Sequence, residues 1–184
     1  ALLVMKEPAR RGGIAQSSTM RTALIDLWQH RGGFVALIGG VVIVEIALGA
    51  VLTWSVPTFA RSFQLSSMQI GGVMSAVIFC SGIAGAVLGG AATDIAQRRG
   101  GARRSLAALI GLAILSVPVG LFPVVASAMS AAALLGLFMT IVGAICVMDP
   151  ALITIVLPGR LHGLATGVLS LAGAVFGIGA APLT

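Results

Sequence analysis

The sequence predicts an all-α, polytopic transmembrane helix bundle of about five spans, and three observations predict it. Composition comes first. Hydrophobic residues make up 58% of the chain, charged residues only 9%, and the mean hydropathy is +1.11. A soluble domain is typically about 45–50% apolar and about 25% charged, so this chain cannot cover a water-facing surface. The second observation is run length. Crossing a hydrocarbon core of about 30 Å takes about 20 apolar residues at a rise of about 1.5 Å each. Five runs meet or approach that length, continuous rather than alternating and far too long for strands. The third is the way basic residues divide between the segments that join those runs.

Residues 1–33 read as the end of a preceding apolar segment (ALLV) followed by a polar cytoplasmic linker. No signal-peptide pattern is visible, and the first charge is Lys6. Within the linker, 18–30 predicts a short surface helix. Ser17 or Ser18 would cap it, and Leu24, Leu27 and Trp28 would share a face before Arg31, Gly32 and Gly33 end it. A flexible linker is the alternative for the same stretch. The bundle then occupies 34–184, with spans predicted at 34–59, 67–93, 105–125, 129–157 and 161–184, the last still apolar at Thr184 and so expected to be truncated. Lys6, Arg10, Arg11, Arg21 and Arg31 precede the first span, Arg98, Arg99, Arg103 and Arg104 follow the second, and Arg160 follows the fourth. Arg61 alone follows the first span, and nothing basic follows the third. Alternate connections thus hold ten basic residues on one side and one on the other, which assigns the first side to the cytoplasm.

That division also accounts for the net charge of +6, so no nucleic-acid partner is expected and the lipid bilayer is. Cys80 and Cys146 both lie within apolar runs and read as buried, unpaired thiols. His30 and His162 are the only histidines, which leaves no metal-ligand cluster, and no cofactor is implied. Asn is absent, so no glycosylation sequon exists.

The stretch GGAATDIAQRRGGARR, residues 89–104, concentrates charge between two apolar runs. Gly90, Asp94, Arg98 and the pair Arg103–Arg104 resemble the loop motif of the major facilitator superfamily, found between the second and third helix of each six-helix half. Ile95 stands where that motif usually has a basic residue, and the glycine and basic pair are displaced by a few positions. LLVMKEPARRGG (2–13) looks like the end of helix six and the central cytoplasmic loop of that family. LPGRLHGLATGVLSLAGAVFGIGAAPLT (157–184) looks like the start of helix eleven, with Arg160 preceding a Gly-x-Ala-x-Gly run. Within the superfamily the pattern is most similar to bacterial Spinster-like or organic-anion carriers. The resemblance implies half of a major-facilitator-type fold, helices seven to eleven, in a bacterial inner membrane, with the N-terminal half of the same carrier as its partner. It also implies that Asp94 latches the cytoplasmic side against a helix start in the opposite half, with Gly90, Arg98, Arg103, Arg104 and Arg160 completing the cytoplasmic gate. Anchoring to anionic headgroups is the physical role open to the arginines, and an incidental acid in a positive-inside loop is the alternative for Asp94. Gly85, Gly89 and Gly90, with Ser81 and Ala86, form small-xxx-small spacings that admit a close helix neighbour.

Two acids fall inside apolar runs. Glu45 lies eleven residues past Phe34, about 17 Å by helical rise and close to the midplane. A charged carboxyl there costs several kcal/mol, roughly, so it should face a cavity, pair, or be protonated. Substrate or proton coupling is one role for it, a hydrogen bond to a neighbouring helix the other. Asp149 precedes Pro150, which removes a backbone donor and favours a kink, so Asp149 reads as a second polar site or as a local bond at that kink. Trp54, with Pro57 breaking the first span near its outer end, reads either as lining a pathway or as plain packing. The expected activity is secondary active transport of a small organic solute, proton-coupled, as symporter or antiporter, by alternating access. A membrane-embedded enzyme would need clustered catalytic groups, and no paired His, acid cluster or Ser/His set is seen, so the chain is not read as an enzyme. A non-transporting structural membrane subunit would not require Glu45 at mid-depth.

Overall fold

The structure, a computed structural model, describes Ile25 and residues 31–179. Apart from Ile25, the linker helix expected over 18–30 lies outside the described residues, as does the end of the last span. Among the described residues there is no strand. Four helices follow one another: α1 (Arg31–Ser62), α2 (Ser67–Val119), α3 (Ala128–Val156) and α4 (His162–Gly179), with single 3-10 turns at Phe122–Val124 and Gly159–Leu161. Segments Leu37–Ser62, Ser67–Gly101, Arg103–Val124 and Ala128–Ile155 are long and apolar enough to cross a membrane, and His162–Phe176 is a shorter apolar helix. By length and composition this is an integral membrane protein, all-helical as predicted.

The helix ends follow local chemistry. Ser66 caps α2 through a reciprocal box: the Gln69 backbone N–H donates to Ser66 Oγ and the Ser66 N–H donates to Gln69 Oε1. Ser127 accepts from the Ser130 N–H at the start of α3. At the far end of α1, Gln64 takes a left-handed backbone conformation, the Leu65 N–H donates to the Phe59 carbonyl, and Gln64 Nε2 donates to the Arg61 carbonyl. At the α3–α4 turn, His162 Nε2 donates to the Leu157 carbonyl at 2.8 Å, satisfying an acceptor just past the end of α3.

Three local expectations need correction. The connection carrying Asp94, Arg98 and Arg99 is not a loop. It stays helical to Gly100, because the 35-residue segment Ser67–Gly101 outruns the apolar core and its Ala, Gln and Arg residues sustain a helix beyond it. The break falls on Gly101 alone, at φ 62° and ψ −150°. Pro57 does not break α1, which continues to Ser62. Around Pro57 the Thr53, Ser55 and Thr58 hydroxyls donate to the carbonyls of Gly49, Leu52 and Trp54. Finally, Cys80 and Cys146 are exposed on helix surfaces rather than buried. An apolar run supplies residues for outward as well as inward faces, as the exposed Ile78, Phe79 and Val147 beside those thiols show.

The backbone at Gly101 is one that only glycine adopts without strain of about 1–3 kcal/mol. Gly101→Ala is therefore expected to destabilise the bundle by about that amount in thermal unfolding. Gly111→Ala, in a helical stretch where an added Cβ meets nothing within 4 Å, should leave stability equal or slightly raised. Equal behaviour of the two variants would show that the bend does not depend on Gly101.

Packing arranges the helices around α3. The α2 helix lies along α3, with Gly85 and Gly89 at the contact. The α1 helix packs mainly on α4, and both reach α3. The main core gathers Leu37, Val41 and Val44 of α1, Ile145, Met148 and Leu152 of α3, and Ala165 and Leu169 of α4. A smaller core at the opposite end centres on Phe59, which is fully buried against Ile70, Phe122, Ala131 and Leu135. Successive spans alternate direction, so the Gly101 bend and the 158–161 turn lie at one end of the bundle, with the start of the first span.

Candidate functional site

A cavity of about 540 Å³ opens where α1, α3 and α4 meet. From α1 it is lined by Glu45 among Val41, Leu48, Gly49 and Leu52. From α3 come Cys146, Asp149, Pro150 and Ile153, and from α4 Thr166, Leu169, Ser170, Gly173 and Ala174. Each set follows the spacing of one helix face, since residues three and four apart sit above one another. The site is therefore built on three rigid elements rather than on loops.

Depth along the helices explains why the two acids share it. Glu45 lies eight residues past Leu37, about 12 Å from the start of its span by helical rise. Asp149 lies six residues before Ile155, about 9 Å from the end of its own. The first span enters from the face that α3 returns to, so the two carboxyls occupy similar depths. They sit nearer the arginine-bearing end of the bundle than the other end.

Local geometry fixes each acid. The Glu45 side chain lies across Gly173: a Cβ placed there would be 3.3 Å from Glu45 Cγ and 3.7 Å from its Oε1. Asp149 is 6% exposed, and its Oδ1 is buried with no hydrogen-bond partner. An unsatisfied buried acceptor costs about 1–3 kcal/mol, more if charged. The α3 helix runs through Pro150 to Val156, so the proline sits on the cavity wall inside a continuous helix. The Thr166 hydroxyl is occupied by the His162 carbonyl of its own helix at 2.8 Å.

The remaining sequence-predicted residues lie elsewhere. Trp54 is 43% exposed on α1 and does not line the cavity. Asp94, Arg98, Arg103 and Arg104 are exposed on either side of the Gly101 bend. Gly90 is half-buried, and an added Cβ there meets nothing within 4 Å. Arg160 belongs to the Gly159–Leu161 turn, and its side chain lies outside the described residues. The structure thus gathers Glu45 and Asp149 into one cavity and leaves the motif residues at the end of the bundle. Thr166, Ser170 and Gly173 were not singled out in the sequence. Their i, i+4, i+7 spacing on an otherwise apolar helix is the signal that points to them.

A second, shallower cavity of about 340 Å³ lies between α2 and α3, lined by Cys80, Ser81, Gly136 and Thr140 among others. The Ser81 and Thr140 hydroxyls donate to the Ile78 and Gly136 carbonyls of their own helices. Among the described residues no group of three or more His, Cys, Asp or Glu is placed to hold a metal ion. No protein family, curated protein or solved structure matches the chain.

Proposed function

We propose that this chain is half of a secondary active transporter of the major facilitator type, carrying a small organic solute by alternating access and coupled to protons. The observation that carries the reading is the membrane-embedded cavity shared by Glu45 and Asp149 at the junction of three helices. Ionisable side chains in transmembrane segments are costly and face cavities or partners. Transporters place solute and coupling-ion sites between helices within the membrane. A carboxyl pair on α1 and α3 is chemically suited to exchange a proton for a solute contact as the bundle rocks.

The motif around Gly101 supports the same reading from the other end. Asp94 is exposed and makes no ion pair among the described residues, which leaves its carboxylate available to a helix start in an opposing half. The arginines beside it are available to anionic headgroups. Large apolar side chains such as Ile43, Phe79, Ile114 and Phe176 are exposed around the bundle, as lipid and a second half would require.

The test is transport. The complete carrier in liposomes should accumulate a small organic solute saturably when a pH gradient is imposed. Residues 1–184 alone should give no saturable uptake, because alternating access needs a second half to rock against the site. Saturable uptake by residues 1–184 alone would end the half-carrier reading.

A further inference from the structure

We propose that the Glu45–Asp149 cavity recognises a primary or secondary ammonium ion carried on a compact aliphatic body. This rests on the transporter reading above and names the solute class for the same site.

Charge comes first. Among the described residues the wall holds two carboxyls, no basic side chain, and one further titratable group, the Cys146 thiol. Among the described residues no arginine, lysine or histidine of the wall is available to receive a carboxylate or phosphate. In an apolar setting the electrostatic preference is therefore for a cation.

Hydrogen bonding narrows the class. Asp149 is more than nine-tenths buried, and its Oδ1 lacks any partner. A turn of the Asp149 carboxyl about its Cβ–Cγ bond brings that acceptor to the cavity, where an N–H donor satisfies it; a protonated amine has such a donor and a quaternary ammonium lacks one. Two carboxyls and the Ser170 hydroxyl offer acceptors to such a head group, which carries two or three donors.

Shape and lining describe the rest of the molecule. About 540 Å³ is within the range of small-molecule sites, roughly 300–1,000 Å³. Among the described residues the apolar wall is aliphatic, from Val41, Leu48, Leu52, Ile153 and Leu169, with no aromatic ring. Cation–π recognition is thus not the means of holding the charge, and an aliphatic cage or short branched chain is the body that fits.

The experiment uses three probes of nearly one shape: 1-adamantylammonium, 1-adamantanol and 1-adamantanecarboxylate. Equilibrium binding to the 184-residue chain in lipid nanodiscs at neutral pH should show saturable binding of the ammonium. It should be roughly tenfold or more tighter than the alcohol, with none for the carboxylate. Asp149→Asn should weaken ammonium binding by roughly tenfold or more, and Glu45→Gln by clearly less. The probe comparison needs no variant, so a misfolded substitution cannot mask the answer. In a Cys80→Ser background, the ammonium should also slow alkylation of Cys146, which lines the cavity, and the carboxylate should not. Carboxylate or alcohol binding as tight as the ammonium, no saturable ammonium binding, or equal protection of Cys146 by both ions would each overturn the proposal. Transport of other solutes without ammonium binding sinks this inference alone. Ammonium binding with no transport by the complete carrier keeps the site and sinks the transporter reading.

Discussion

Gly89→Ile is expected to prevent α2 from seating on α3, with loss of the thermal transition or a fall in midpoint larger than for any other single glycine substitution in α2. A Cβ at Gly89 would stand 2.6 Å from the Ala144 carbonyl oxygen, 2.9 Å from Ala144 Cα and 3.0 Å from Val147 Cβ. Two of these are backbone atoms, so no side-chain rotation relieves the clash and the helices must separate. Gly85, one turn earlier, meets the Thr140 carbonyl oxygen at 2.9 Å in the same way. Overpacking by even one carbon typically costs about 1–3 kcal/mol, and a branched side chain costs more. In a membrane the contact cannot be replaced by hydrophobic collapse, because lipid tails are as apolar as the side chains. Gly90→Ile is the internal control. It is adjacent, on the same helix, and an added Cβ there meets nothing within 4 Å. Thermal unfolding in one detergent should separate the pair sharply. Equal stability of the two variants would mean that α2 and α3 do not approach as closely as Gly85 and Gly89 require.

That contact marks how far the sequence could be read. Small-xxx-small spacing at Gly85 and Gly89 identified a close-packing face, because period and residue size are local properties. It grouped Gly90 with them, although only partner geometry tells which of two adjacent glycines faces inward. The partner face, Thr140, Gly143 and Ala144, is hidden in the sequence because most of α3 is apolar and small residues occur all along it. Helix identity was legible for the same reason that membrane helices usually are: each backbone bond is local and the apolar runs are long. The break between the second and third segments was misplaced. The concentration of charge predicts a loop there, whereas Asp94 to Arg99 continue the helix and within α2 only Gly101 takes a conformation closed to other residues. Pro57 does not end α1, which continues to Ser62 while the Thr53, Ser55 and Thr58 hydroxyls bond carbonyls of the surrounding turns.

The acidic site was half legible. Glu45 and Asp149 stand out because ionisable residues in apolar runs are rare. That they line one cavity depends on the pairing of α1 with α4 against α3, which no local pattern encodes. Counting from the two ends of α1 and α3 gives them similar depths, yet depth alone does not put two helices side by side. The wall contributed by α4 was missed because Thr166 and Ser170 are common residues in membrane helices, and their role appears only once that helix is docked.

If the chain is half of a proton-coupled carrier, as proposed above, Glu45→Gln is expected to abolish pH-gradient-driven accumulation by the complete protein while leaving counterflow exchange. Glutamine keeps the shape of the side chain and can neither take up nor release a proton. Gly173 holds the position: the Glu45 side chain already lies across it, and Gln occupies the same space without new contacts. Packing should therefore survive, and a normal melting temperature serves as the control. If Glu45 carries the coupled proton, uptake driven by a pH gradient should fall by about tenfold or more, the equivalent of roughly 1.4 kcal/mol or more of lost coupling. Exchange of labelled for unlabelled solute moves no net proton and should continue. Asp149→Asn is expected to behave differently. Its buried Oδ1 has no protein partner, so the substitution alters the group that most needs a ligand and should weaken solute binding, reducing both activities together. Measured on one reconstituted protein, the pair of assays separates coupling from binding. Gradient-driven uptake unchanged in Glu45→Gln would remove Glu45 from the coupling step and pass that role to Asp149, or to an acid in the other half of the carrier.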